Sequence, residues 1–443
     1  MAVENDDFIL TFNKEGKMLV LSTERSKNLK IGPSFWSIII IFLCLTTFVL
    51  TQVALAADKD PIKIGFIAPV TGGHAKLGMD MVAGFKMFLD EIDYTVAGRK
   101  IELLVQDEQK PAVAVTTARK FIVHDKVDLI AGVLLTGSAY ALTPLVTEKK
   151  VPLIVTIAAG DDVTQRKRSK YVARLSFSAS EMSHIAGDFA YKELGWRKAV
   201  TFAWDRAWGH ESAGGFHRAF EDAGGKVIQK IWPPAGTMDF GPYVANLNRE
   251  ADGLFDCITG GASIRFLRAL RDTGRKWQVI GPGMITDETF FKALGDVGVG
   301  VYSVFPYCVT LKTPENIEFQ ERASKLLKKG EVAPGFFSIC YTAARFIIQT
   351  IDAIDGNVED TDRFLEALRS LELKSIRGPL RLDEYGHPIQ NQYVRRVDKV
   401  NGTYQNTVIK TYPMVTQFFK FVPEEQLKQP PYTRDYPPCK FCE

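Results

Sequence analysis

Between Pro61 and Tyr307 short apolar runs alternate, twice over, with stretches whose apolar residues recur at helical spacing. The first series begins with "IKIGFIAPV", which reads as a buried strand. "GMDMVAGFKMFLDEI" follows and places Met81, Phe85, Phe88, Leu89 and Ile92 on one helical face. "KIELLVQD" is the next strand, and Pro111 then opens a helix at the position where proline is tolerated. "DLIAGVL", a helix through "SAYALTPLV", and "VPLIVTIA" complete the series. The second starts at "FSASEMSHIAGDFAYKEL", where Ser178 and Glu181 have the spacing of a capping box. It continues through "KAVTFAWD", "KVIQKIW", "GLFDCITG", "WQVIGPG" and "VGVYSVFPY". Such alternation predicts an α/β protein with parallel sheets, right-handed crossovers and helices on both sheet faces.

After Tyr307 the pattern turns helical. One helix follows Glu315, another spans Gly335 to Ile354, and a third lies around Phe364 to Leu373. "GPLRLDEYGHPIQNQYVRRV" reads as a hairpin. A chain that builds one sheet, then a second, then helices is expected to cross between two lobes more than once. The tail at residues 423–443, "PEEQLKQPPYTRDYPPCKFCE", is proline-rich and reads either as a mobile extension or as a strap over a lobe.

Bulk properties narrow the functional classes. The 443 residues suffice for two to three domains, and 46% hydrophobic with 24% charged residues is ordinary for a globular chain. A net charge of +3, with no basic run interleaved with aromatics, argues against a nucleic-acid partner. Near the N-terminus, "FWSIIIIFLCLTTFVL" is a continuous apolar run behind Arg25, Lys27 and Lys30, and Ala54-Leu55-Ala56 supplies a small-residue exit. Together these predict a cleaved signal peptide within residues 1–56 and an extracytoplasmic, periplasmic location. An uncleaved membrane anchor over residues 35–56 is the competing reading. Residues 1–17 are net acidic, so translation is expected to start at Met18. Beyond the signal the chain keeps Cys257, Cys308, Cys340, Cys439 and Cys442, an odd number that cannot all pair internally.

Motifs of catalysis are missing. "APVTGGHAKLG" has the wrong spacing for a dinucleotide loop, and no P-loop, HExxH or GxSxG occurs. The six histidines never stand at metal-ligand spacing with a partner. "CKFC" follows "YPP" rather than a strand and supplies two ligands where zinc needs four, so a local disulfide is expected. We therefore expect no enzyme, no cofactor and no metal.

The succession of "IKIGFIAPVTGGHAKLG", "LIAGVLLTGSAYALTPLVTEKKVPLIVTIAAG", "DRAWGHE", "AFEDAGGKVI", "GPGM", "YTAAR" and "GPLRLDEYG" resembles the leucine/isoleucine/valine-type periplasmic binding proteins. These are the extracytoplasmic receptors of ABC importers. The resemblance implies two Rossmann-like lobes joined by three crossovers, near Leu175–Ser180, Val304–Tyr307 and Pro379–Asp383. Lobe 1 would hold 61–177 plus 306–378, and lobe 2 would hold 178–305 plus 379–422. It also implies a monomer that delivers a small solute to an inner-membrane permease. The alternative is a ligand-sensing module of a membrane-anchored signalling system.

Ligands of open parallel sheets sit beyond the carboxyl ends of the strands. "VTIAAGDDVT" ends a core strand there with Ala158, Ala159 and Gly160, almost pure backbone, and packing accommodation is its competing reading. By resemblance, this backbone and the hydroxyl of Thr136 hold the ligand, with Gly137 and Ser138 at a helix start that favours an anion. Trp208 stands where relatives carry an aromatic that leans on the ligand. Arg206 is either a carboxylate partner or a solvated charge, and His74 and His210 could border the cleft. Three departures stand out. Leu77 replaces a common tyrosine, Ala262 an aromatic, and Gly283, with Met284 beside it, the acid that clamps an ammonium. An unpaired buried ammonium costs several kcal/mol. The expected ligand is thus a small organic solute, either branched-chain amino acid-like or, in preference, a carboxylate-bearing or aromatic compound without a free amine.

Overall fold

The computed structural model describes residues 60–442 together with two short strands near the N-terminus. Those strands, β1 (Ile9–Phe12) and β2 (Met18–Leu21), pair antiparallel as a unit of their own. The apolar segment at 35–56 lies outside the described residues. Among the described residues no helix is long and apolar enough to cross a membrane.

The first sheet contains β3 (Ile62–Ala68), β4 (Thr95–Val96), β5 (Arg99–Asp107), β6 (Leu129–Gly132), β7 (Leu153–Val155) and β8 (Val172–Arg174), in the order β4-β5-β3-β6-β7-β8. All of it is parallel except the β4–β5 pair. β3 is buried at all but one position, as befits a strand with helices over both faces. Those helices are α1 (Ala75–Glu91), α2 (Pro111–Lys120) and α3 (Thr136–Lys149). Proline does open α2.

The chain then enters a second sheet. It is preceded by α4 (Ala179–Lys192), whose start carries the Ser178–Glu181 capping box in both directions. β9 (Lys198–Ala203), β10 (Lys226–Ile231), β11 (Gly253–Cys257), β12 (Gln278–Pro282) and β13 (Tyr302–Phe305) run parallel in the order β10-β9-β11-β12-β13. α5 (Ala207–Asp222) and α6 (Gly261–Asp272) belong to this lobe. After β13 come α7 (Pro314–Ser324), α8 (Gly335–Ala353) and α9 (Thr361–Ser370), with α8 packed on α1 and α7 held against α8 by Phe319, Phe337 and Tyr341.

The return differs from the sequence expectation. β14 (Glu372–Ser375) and β15 (Gly378–Leu382) already lie in the second sheet, so that sheet is rejoined at Glu372, ahead of Pro379–Asp383. β15 pairs with β16 (Pro388–Val400) as the expected hairpin. β16 also pairs with β17 (Thr403–Val415) in a second hairpin that the motif reading passed over. Its turn is Asn401-Gly402, both at positive φ, the dipeptide that favours a tight hairpin turn. These additions make the second sheet mixed, antiparallel from β13 outward.

The tail is a strap. Arg166 donates to the carbonyls of Gln426 and Gln429, and Tyr432 is buried with its Oη 3.0 Å from His184 Nε2. On α5, a Cβ at Gly214 would come within 2.6 Å of the Tyr432 ring, so only glycine leaves it room. Cys439 and Cys442 form the local disulfide, and Cys257, Cys308 and Cys340 are free and buried.

Candidate functional site

Strand order places the site. In the first sheet β3 lies between β5 and β6, so the connections after β3 and β6 diverge at the sheet's carboxyl edge. In the second, β9 lies between β10 and β11, and the connections after β9 and β11 diverge likewise. Each sheet therefore has a switch-point crevice. A cavity of about 280 Å³ is lined from both. That is just below the ~300–1,000 Å³ of sites for drug-sized ligands and suits a single-ring solute.

The first-lobe wall holds His74 and Leu77 after β3, Pro111, Leu134 to Gly137 after β6, and Ile157 with Ala159 after β7. The second-lobe wall holds Arg206, Ala207 and Trp208 after β9, Thr259 after β11, and Met284 after β12. Phe336, at the start of α8, closes it. Most of the lining is apolar and none of it is acidic.

Of the residues expected from sequence, Leu77, Thr136, Gly137, Ala159, Trp208 and Met284 line the cavity. Ser138, Ala158, Gly160 and Ala262 do not. Ser138 is buried behind the first turn of α3, beside Glu108. Ala158 donates its N–H to the Val133 carbonyl and packs in the first lobe's outer core. Gly160 lies against Tyr140, where a Cβ would meet the ring at 2.7 Å, and its carbonyl accepts from Arg174. The Ala159 carbonyl is also occupied, by the Ala179 N–H at 2.8 Å. The bare strand end thus serves close packing, and Ala159 alone of the three reaches the cavity wall. Ala262 packs against the core from α6, and Thr259 takes the place at the wall. His210 pairs with Asp205 at 2.8 Å and is not in the lining, whereas His74 is.

The helix start at α3 was expected to receive an anion. The protein supplies one itself. Glu108, fully buried at the end of β5, accepts from the N–H groups of Leu134 at 2.7 Å and Leu135 at 2.9 Å. Burial pushes its pKa up to about 7 against the pull of those donors. Glu108 reads in the sequence as one charge of the polar run "QDEQK", and no local signal marks it as buried. Thr136 and Gly137, in the first turn, keep N–H groups with no intrahelical partner.

The second-lobe wall is the reverse. Arg206 Nε and Trp208 Nε1 are buried without a hydrogen-bond partner among the described residues. Burial lowers the Arg206 pKa, and no carboxylate offsets it. An arginine remains charged regardless. His74 is pushed below its usual value, by burial first and by Arg206 second, so it is neutral at pH 7. The cavity is therefore an apolar slot with one cation, an indole donor and the start of α5 on a single side. Among the described residues no cluster of three or more His, Cys, Asp or Glu could hold a metal.

Comparison with known proteins adds the context. The family model described as "Periplasmic binding protein" matches residues 61–403. The Leu/Ile/Val-binding protein homolog 6 of Brucella melitensis is 32% identical over 375 residues, which span 82% of this chain and 95% of that one. An ABC transporter substrate-binding protein from Sphaerobacter thermophilus superposes with a TM-score of 0.76 at 33% identity, over 80% of this chain and 98% of that one. A solute-binding protein of an ABC transporter from Rhodopseudomonas palustris BisB5, solved with 3,4-dihydroxybenzoic acid, superposes with a TM-score of 0.76 at 30% identity, over 81% and 98%.

Proposed function

The chain belongs to the periplasmic binding protein family, in its leucine/isoleucine/valine-binding type, and from that premise we propose that its ligand is a small aromatic carboxylate without an amine. Members of this family are extracytoplasmic solute receptors that hand a small molecule to the permease of an ABC importer. The finer reading rests on one observation: Arg206 and Trp208 line an apolar cavity with no acidic side chain in its lining, and their Nε and Nε1 atoms are buried without a hydrogen-bond partner among the described residues.

Magnitudes decide between the two ligand classes in play. Burying roughly 150 Å² of ring surface contributes about 4 kcal/mol. A carboxylate on Arg206 adds a charge-assisted hydrogen bond of about 1.5–3 kcal/mol. An α-amino acid gains the second term but brings an ammonium whose desolvation costs several kcal/mol with no acid to offset it. The 3,4-dihydroxybenzoic acid in the R. palustris relative is a ligand of the favoured kind. Export by cleavage after Ala56 accompanies this reading, and N-terminal sequencing of the secreted protein tests it.

A thermal-shift panel of benzoate, 4-hydroxybenzoate, 3,4-dihydroxybenzoate, leucine, isoleucine and urea tests the ligand class. An acid present at a hundred times its Kd is expected to stabilise by about 2.7 kcal/mol. Leucine and urea are expected to leave the transition in place. A shift with leucine and none with any aromatic acid would refute the proposal.

A further inference from the structure

Two helices meet beside the cavity, one from each lobe. α3 contributes Thr136 to the wall and Tyr140 one turn later, and α5 contributes Trp208 and, one turn later, Glu211. Tyr140 Oη donates to Glu211 Oε1 at 2.6 Å across the gap between lobes. The Asp161 N–H, in the first lobe, donates to Glu211 Oε2 at 3.0 Å. The Asp162 N–H donates to Tyr140 Oη at 3.1 Å. Glu211 is 6% exposed and touches nothing of the cavity lining through these bonds. The bare end of β7 makes this possible: a side chain at Gly160 would strike the Tyr140 ring and Thr136 Cγ2.

The arrangement is asymmetric in a way that matters. All three donors that converge on the pair come from the first lobe, while the acceptor carboxylate rides on the helix that carries Trp208. A carboxyl group buried this deeply keeps its place only while its hydrogen-bond partners are present. Separation of the lobes breaks both bonds to Glu211 at once and returns it to water. Asp161 adds a second tie across the same seam, accepting from the Ser180 N–H at the start of α4 at 3.0 Å.

We propose that Glu211 is a positioning residue for ligand retention: with Tyr140 and the Asp161 N–H it forms a clasp that holds the lobes shut over the cavity without touching its occupant. The retention part deepens the functional reading above and rests on it. The closure part does not.

The test separates the two. Nitroxide labels on Arg119→Cys and Asp272→Cys, one per lobe, report the interlobe distance in the unliganded protein by pulsed electron resonance. Glu211→Ala is expected to move the distribution to longer distances, and Tyr140→Phe to move it part of the way. With 3,4-dihydroxybenzoate as the probe, stopped-flow binding is expected to show koff about tenfold faster in Glu211→Ala, from two lost hydrogen bonds, and kon within twofold. The double variant is expected to release no faster than Glu211→Ala, because both changes break one unit. Glu211→Gln, which keeps the shape and one acceptor oxygen, is expected to restore part of the retention and guards against a variant that fails to fold. A residue that served stability alone would lower the melting temperature and leave the lobe distance and the split between kon and koff where they were. That result, or an unchanged distance distribution in Glu211→Ala, overturns the clasp. Failure of the native protein to bind the probe refutes the ligand reading, and the distance measurement still decides the clasp.

Discussion

The two walls of the cavity are built on the same plan and finished in opposite ways. Both stand at a switch point, where connections after neighbouring strands diverge and helices begin. In the first lobe the helix start at α3 is filled from within, since Glu108 takes the N–H groups of Leu134 and Leu135. In the second lobe the start of α5 leaves Arg206 Nε and Trp208 Nε1 buried without a hydrogen-bond partner among the described residues. One wall carries its own carboxyl group and the other lacks one. If the ligand is the aromatic acid proposed above, the contrast directs its carboxylate toward Arg206 and its ring against the apolar first lobe.

Arg206→Ala is the most damaging change for that contrast. Removing the one cation facing a desolvated carboxylate is expected to cost about 3–4 kcal/mol, several hundredfold in Kd, read by calorimetry with an aromatic acid. Retained affinity would mean that the carboxylate sits on the other wall. Glu108→Gln probes that other wall through stability. The folded pKa of Glu108, about 7, lies above its ordinary 4.5, so the folded state holds the proton more tightly between those values. Stability from this group is therefore full below about pH 4.5 and falls as pH rises to about 7, by about 3 kcal/mol at most. Urea unfolding at pH 5 and 7.5 is expected to show a smaller loss of stability with rising pH in Glu108→Gln than in the native protein, the difference being the share of Glu108, since Asp161 and other buried acids titrate as well. Trp208→Ala removes the aromatic face and the indole donor together, for about 2 kcal/mol or roughly thirtyfold in Kd. Thr136→Val, which keeps the shape of the first wall and deletes a hydroxyl, is expected to cost about 1 kcal/mol or less. If Thr136→Val cost more than Arg206→Ala, the two walls would have exchanged roles.

Much of the scaffold was written in local pattern. Pro111 opened a helix, Ser178 and Glu181 formed their capping box, and the apolar runs became parallel strands. Asn401-Gly402 carried an equally local turn signal and went unread, and with it the pair β16–β17. Thr136, Trp208 and Met284, named from resemblance, line the cavity from the connections that follow β6, β9 and β12. Phe336, at the start of α8, reaches the wall only through the packing of a distant element, and no spacing in the sequence announces that. Gly160 shows why bareness alone misleads. An open edge and a close-packed ring both require a missing side chain, and here the ring of Tyr140 is what fills the space. Glu108 was hidden for the opposite reason, because a charge in a polar run reads as solvated until the fold buries it.

The ligand's charge is the central claim, and one pair of titrations tests it most directly. Calorimetry of the native protein with 3,4-dihydroxybenzoate and with 3,4-dihydroxybenzamide compares two ligands of nearly the same shape, one with the negative charge and one without. The acid is expected to bind at least about a hundredfold more tightly than the amide, the amount lost when a desolvated cation goes unpaired. Equal affinity for acid and amide, or leucine displacing both, would contradict the account.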